Sequence, residues 1–501
     1  MTRFTRRRFL QSSLGTGLAL TLRGRGAHAA PLARPIGAND DIRLAIIGMG
    51  RTDGPGVGGR GHQLINLFRK VPNARIVALC DVDQQMLDRE LKRFAGWKQR
   101  VKPYRDLRAV FDAPDIDAVV VATPNHWHAL ATVWACQAGK DVYVEKPASH
   151  EIWEGRQMVA AARKYKRIVQ VGTQSRSSDI CQQAVQYIQS GKLGKILYAR
   201  AVIYRRRTSI GKATGPLAVP PTVNYDLWLG PAPKPGLKRL EFHYDWHWQW
   251  PTGNGEIGNN GVHYLDRCRW ILGQNKLPHR AMSIGGRFKF DDDGQTPNTE
   301  VALLDYDPAP IICEIRGLPE KTGSKTMDKF RSVPVGIIVQ CEGGAYISTR
   351  QASSVFDNKG KLITTFTDRR PANEQPMAHQ ANFVGAVRSR DRGDLNAEVL
   401  DGHLSTSLCH MANVSYLLGA PAPTGAIMAA VADNARLADA LQRMQHHLKA
   451  NDVDLNKTPA VVGPWVTMGA DSARFVSEHA ERANALSHRK YRKPFVVPAI
   501  E

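Results

Sequence analysis

The sequence predicts an α/β chain, in which an N-terminal doubly wound parallel sheet is followed by an α+β region built on a large, mainly antiparallel sheet. Three observations carry this. Apolar strand-like runs alternate with helical patterns from Ile42 to Val171, a spacing that calls for right-handed crossovers between parallel strands. From about residue 195 strand-like runs follow one another directly, joined by turns such as Asp307-Pro308-Ala309-Pro310 and Asn358-Lys359-Gly360, as antiparallel pairing requires. The 501 residues, 43% hydrophobic, are enough for the cores of two or three domains.

In chain order, Ile42 to Ile47 reads as a buried strand entering a glycine-rich turn at Gly48. A helix over His62 to Lys70, a strand over Arg75 to Cys80 and an amphipathic helix ending near Trp97 follow. The strand Ile116 to Ala122 stops at Thr123-Pro124, and the helix His126 to Ala138 is closed by Gly139. The strand Asp141 to Val144 runs into Glu145-Lys146-Pro147, after which a helix (about Ser149 to Lys166) and a strand (Ile168 to Val171) extend the layer. Later strands are expected at Ile196 to Tyr204, Ala281 to Phe290, Thr299 to Tyr306, Ile311 to Ile315, Gly336 to Cys341 and Leu362 to Phe366. Helices at Gln380 to Ser389, Ala397 to Leu418 and Ile427 to His446 would cover them. The expected division is a signal at 1–30, a linker at 31–40, the parallel-sheet domain at 41–172, a substrate and oligomerisation domain at 173–450 and a polar tail at 451–501.

Thr5-Arg6-Arg7-Arg8-Phe9-Leu10-Gln11 resembles a twin-arginine export box, followed by a weakly apolar stretch from Ser12 to Leu22 and an Ala27-His28-Ala29 cleavage site. This predicts a removable signal and an exported, periplasmic protein with no stable membrane insertion. Six arginines and no acids lie in residues 1–30, so the formal charge of +22 falls to +16 for the rest. The basic residues are scattered, with Arg205-Arg206-Arg207 the one tight run after the signal. That argues for a solvated basic surface rather than a nucleic-acid interface. The seven cysteines include no C-x-x-C pair, so neither a zinc knuckle nor a redox dithiol is indicated, and buried free thiols are expected.

Gly48-x-Gly50, a helix-opening Gly61 and Asp81 at the end of the next strand fit a Rossmann cofactor fingerprint. Glycines let the backbone approach a pyrophosphate at a helix N-terminus. Asp81 would accept hydrogen bonds from the ribose hydroxyls and so favour NAD. An insertion, Arg51 to Gly59, delays the third glycine. Arg51 and Arg60 could offset a 2′-phosphate, which leaves NADP open.

Ala122-Thr123-Pro124-Asn125-His126-Trp127-His128 and Val144-Glu145-Lys146-Pro147-Ala148 resemble motifs of the Gfo/Idh/MocA family. Asp226-x-Trp228-Leu229-Gly230-Pro231-Ala232-Pro233 and Gly258-Asn259-Asn260-Gly261-Val262-His263 continue the likeness, which covers about residues 42 to 420. It implies a nicotinamide-dependent sugar or polyol oxidoreductase, homo-oligomeric, with a sugar or glycoside as small-molecule partner. A branch of the family cleaves glycosides by transient oxidation and elimination, which is the alternative. Thr123, Pro124, Asn125, His128, Glu145 and Lys146 stand at strand ends, where open α/β sheets bind ligands, and are assigned to the cofactor with Gly48, Gly50, Arg60, Gly61 and Asp81. Lys146 can stabilise a developing alkoxide, and His263 is the candidate general base. The motif usually has an aspartate where this chain has Asn259; Asn259 would orient His263 without charge, and Glu256 or Asp266 would act in its place. Trp246, His247 and Trp248 lie in an aromatic and polar stretch, Tyr244 to Trp250, suited to a pyranose. His243 and His247 are four apart, but with no partner motif no metal is expected.

Overall fold

The computed structural model describes residues 37, 40–51, 59–234, 236–349, 352–469, 474–476 and 478–501. The export box, its apolar stretch and the cleavage site lie outside the described residues, as do positions 52–58 of the insertion. Six strands form one sheet: β1 (Ile42–Ile47), β2 (Ala74–Cys80), β3 (Lys102–Tyr104), β4 (Ala118–Val121), β5 (Asp141–Val144) and β6 (Val169–Val171). They pair in the order β3-β2-β1-β4-β5-β6, parallel throughout. β4 (Ala-Val-Val-Val) and β5 are buried along their whole length, because helices cover both faces and leave no side for polar residues. The strand order reverses between β1 and β4, which opens a crevice beyond their carboxyl ends.

The second sheet contains β7 (Ile196–Tyr204), β8 (Arg280–Gly286), β9 (Thr299–Asp305), β10 (Ile311–Arg316), β11 (Val335–Cys341), β12 (Gly344–Ser348), β13 (Ser353–Asp357), β14 (Leu362–Thr365), β15 (Ala420–Ala422), β16 (Ala460–Val462) and β17 (Val466–Thr467). The order is β14-β13-β12-β11-β7-β10-β9-β8-β16-β15, with β17 beside β8. Pairing is antiparallel except between β7 and β10, which run parallel. One face packs on the helices Val262–Ile271 and Val399–Leu418, and the other lies under Ala435–Ala450. The helix expected over Ile427 to His446 is two, Thr424–Ala429 and Ala435–Ala450, because Asn434 caps the second by accepting from the Leu437 N–H.

The helix Val399–Leu418 binds the two sheets together. It packs on β8 and on the helix Ile152–Lys164, and just before it the Ala397 carbonyl accepts from the Val171 N–H at 2.9 Å. The polar last fifty residues supply β16, β17 and the helix Ala480–Leu486. They also place Phe495 in the first sheet's core, 5.5 Å from the Trp127 ring. All seven cysteines are free, and six are buried. Among the described residues, no helix is long and apolar enough to cross a membrane.

Candidate functional site

A cavity of about 690 Å³ opens at the switch point of the first sheet. Its floor is the turn after β1. Gly48 has φ +82°, and a Cβ at Gly61 would lie 1.8 Å from the Gly48 carbonyl oxygen, so the late glycine does the close-packing task of the third fingerprint glycine despite the insertion. Gly48 and Gly50 line the cavity, while Gly61 lies beneath it at the start of the helix Arg60–Phe68. Asp81 lies at the end of β2, its carboxylate accepting from the Met49 N–H at 2.8 Å and the Asp83 N–H at 2.9 Å. Burial raises the Asp81 pKa against those two donors.

Both arginines left open for a 2′-phosphate are paired with carboxylates. Arg60 Nε donates to Glu145 Oε1 at 2.7 Å, and Arg51 pairs with Glu241 at 2.6 Å. Burial works against the Glu145 charge, yet the Arg60 and Lys146 charges overcome it and lower the Glu145 pKa. The strand-end residues divide by role. Thr123, Pro124, Asn125 and His128 all line the cavity, and the buried Thr123 hydroxyl has no partner among the described residues. Asn125 is spoken for, its amide donating to Asn254 Oδ1 at 2.9 Å. His128 bridges the Thr123 and Pro147 carbonyls at 2.8 and 2.6 Å, tying two strand-end loops together. His126 lies deeper, with Nε2 3.0 Å from the Trp228 carbonyl.

Lys146 and His263, 117 positions apart by number, line the same cavity. Lys146 Nζ donates to the Asn259 backbone carbonyl at 2.7 Å. Burial lowers its pKa, and the Arg60 and Arg207 charges add to this against Glu145 and Glu256. Burial likewise drives the His263 pKa well below its usual value, helped by the Lys146 charge. The ring is therefore neutral near pH 7.

The expected support of His263 is not formed. Residues Ile257–Gly261 make a π-helical turn before the helix Val262–Ile271, so the residue four earlier no longer stands one turn beneath the ring. Among the described residues, no hydrogen bond joins the Asn259 side chain to His263. Glu256 and Asp266 do not replace it. Glu256 is held by Arg207 at 2.6 Å and by Asn260 at 2.7 Å, and Asp266 by Arg176 at 2.9 Å and Ser405 at 2.6 Å.

The aromatic stretch is only partly at the site. Trp246 and His247 line the cavity, their rings stacked at 3.7 Å. Trp248 is turned away under Arg207, 5.0 Å from its ring, and is not part of the wall. Asp245 accepts from the Glu241 N–H instead of facing the cavity. His243 and His247 diverge because the turn between them, Asp245–Trp248, is a 3₁₀ helix. His243 Nε2 reaches Asp83 Oδ2 at 2.9 Å, and His247 Nδ1 reaches the Tyr244 carbonyl at 2.5 Å. Tyr244, which opens the aromatic stretch, also lines the cavity, and sequence reading missed Glu241 and Arg205 as cavity residues. For Arg205 the signal was present in the basic run at the end of β7.

Residues 42–173 match the family model described as an oxidoreductase family, NAD-binding Rossmann fold, and residues 203–306 match its C-terminal alpha/beta domain. The chain is similar to a glycosyl hydrolase family 109 protein of Parabacteroides distasonis, 30% identical over 62% of this chain and 67% of the relative. It is also similar to a scyllo-inositol 2-dehydrogenase (NAD(+)) of Bacillus subtilis, 31% identical over 31% of this chain and 43% of the relative. Other relatives are matched over 44% and 36% of their length, less than half. The fold is shared with an oxidoreductase from Agrobacterium radiobacter in complex with NAD+, L-tartaric acid and magnesium, at TM-score 0.55 and 18% identity over 74% of this chain and 95% of that one.

Proposed function

The chain belongs to the Gfo/Idh/MocA oxidoreductase family, and from that premise we propose that it transfers hydride between a secondary hydroxyl of a sugar or polyol and a tightly held nicotinamide cofactor. The observation that carries this is the meeting of Lys146 and neutral His263 in one cavity with the dinucleotide cradle. The residues fit the cofactor. The Gly48 to Gly61 turn leaves room for backbone to approach a pyrophosphate, the Thr123 hydroxyl lacks a partner, and Asp81 suits a ribose. With Asp81 at the ribose end and both nearby arginines paired, NAD is favoured over NADP.

When bound, the nicotinamide supplies a two-electron acceptor for hydride. Lys146 keeps one donor on the Asn259 carbonyl and turns the remaining ammonium donors to the substrate oxygen, favouring the alkoxide. His263 accepts the hydroxyl proton at its unprotonated ring nitrogen. The Glu145–Arg60 pair behind Lys146 fixes the charge around it without contacting the proton path.

A second reading, redox-neutral glycoside cleavage, is favoured by the match to the Parabacteroides distasonis protein, the longest named here. It would use the same lysine and histidine. The two are separated by incubating purified protein with free sugars, polyols and chromogenic glycosides while following NADH absorbance and aglycone release. Net NADH or ketosugar is the expected result. Aglycone release with no net change in cofactor supports cleavage instead, and failure to bind any nicotinamide overturns both.

A further inference from the structure

The end of the cavity where Lys146 and His263 meet is also walled by Arg205, Tyr244, His247 and Asn259. Lys146 and Arg205 are cations, and no carboxylate there is free to balance them. Glu145 is engaged by Arg60 and Glu241 by Arg51, while Asp81 and Asp106 stand at the ends of β2 and β3. Behind the wall Glu256 is already engaged by Arg207 and Asn260. The contrast between neighbours is informative. Arg207 has its own carboxylate partner, whereas the guanidinium of Arg205, two residues earlier, donates to the Asn260 side-chain oxygen at 3.2 Å and pairs with no acid among the described residues.

The Arg205 side chain is exposed, while its backbone is fixed. Its N–H donates to the Arg316 carbonyl at 3.0 Å, which continues the β7–β10 pairing one residue past the end of β7, and Asn260 beside it belongs to the π-helical turn that positions Lys146. A neutral sugar entering here would desolvate the exposed Arg205 beside the already buried Lys146 and return only neutral hydrogen bonds. An oxyanion on the substrate offsets that cost through charge-assisted bonds. The imidazoles agree with this electrostatic picture: burial, with the Lys146 charge added, holds His247 down to about 3 and His263 well below its usual value.

We propose that the substrate is an acidic sugar, whose carboxylate or phosphate binds Arg205 while the hydroxyl to be oxidised lies against Lys146 and His263. This rests on the hydride-transfer reading. The test uses NAD-loaded protein with hexuronates, hexose 6-phosphates and the neutral parent hexoses, read by kcat/KM and, independently, by calorimetric binding. Acidic sugars should be preferred by about 100-fold, with the uronate and phosphate arms identifying which anion is used. R205A should lower the acid-to-neutral ratio by about 100-fold, and R205K should restore part of it. Equal use of neutral and acidic sugars, a ratio unchanged in R205A, or no binding of either acid to loaded protein would overturn the proposal and leave hydride transfer standing. Failure to bind nicotinamide would overturn the underlying reading instead.

Discussion

Burial disfavours the charged forms of both Lys146 and His263, and because the reaction needs the first charged and the second neutral, their pH limbs are opposite and separable. Burial lowers the Lys146 pKa from its ordinary 10.5 and the His263 pKa from its ordinary 6.5. Activity that needs neutral His263 is complete above its folded pKa and lost as pH falls through it. The acid limb of kcat/KM should therefore lie to the acid side of an unperturbed imidazole. Activity that needs charged Lys146 is lost as pH rises through its lowered pKa, which brings the alkaline limb below 10.5. Lys146→Ala and His263→Ala should each cut turnover by about 100-fold while cofactor content stays near that of the parent. Near-normal turnover in both would remove the assignment. Asn259→Asp is the finer probe. Its backbone, not its side chain, meets Lys146, so a new carboxylate there should raise the Lys146 pKa and move the alkaline limb up by roughly a unit. An unmoved limb would show that the side chain is too distant to matter.

The element that crosses the cavity is the segment Glu241 to His247, and it is pinned to the parallel-sheet layer at two points. Glu241 holds Arg51 beside the glycine turn, and His243 holds Asp83 past the end of β2. The two pins differ in weight. The Arg51–Glu241 pair is 34% and 45% exposed and contributes little, whereas cutting His243 from Asp83, which is 2% exposed, leaves that buried carboxylate only its Gln85 N–H and Thr222 partners. His243→Ala should therefore speed cofactor release about tenfold, and Glu241→Ala by no more than about twofold. A chase of bound NAD by excess labelled NAD measures both rates. Equal rates in parent and His243→Ala protein would show that the segment does not retain the cofactor. This strap was not visible beforehand, since its pins join residues 160 and 190 positions apart and no local pattern encodes such pairs. What was legible follows the same logic. β4 and β5 are apolar runs because both faces are buried, and Thr123, Lys146 and Asp81 were placed correctly at strand ends. β3, β15, β16 and β17 are two or three residues long, too short for a period of two to register. The π-helical turn at Ile257–Gly261 has the periodicity of an ordinary helix start, so the expected Asn259–His263 pair failed there.

Across the whole molecule, the described residues include nine histidines whose pKa burial lowers. They are His126, His128, His263 and His447, with His150, His379 and His403 at about 4 and His247 and His410 at about 3. Each contributes stability that is fully present above its unfolded pKa near 6.5 and lost as pH falls toward the folded value, because the unfolded chain takes up the proton first. Five buried carboxylates act in the other direction. Burial raises Glu154 and Glu300 to about 7 and Asp245 to about 6, and also raises Asp81 and Asp141, so the folded protein binds those protons first as pH falls. Glu151, held at about 2 by His150 and Arg489 against its burial, and Glu314, held at about 2 by Arg443 and Arg200, withdraw their stabilisation only below about pH 4. The histidines outnumber the opposing carboxylates, and each net proton is worth about 1.4 kcal/mol per pH unit. The unfolding midpoint should thus be flat above pH 7 and drop steeply between 6 and 4, by several kcal/mol in all. Urea titrations at half-unit pH steps, followed by tryptophan fluorescence, measure this directly. A midpoint that held level or rose through pH 5 would mean that the buried imidazoles carry protons in the folded state, and the neutral His263 on which proton transfer depends would fall with them.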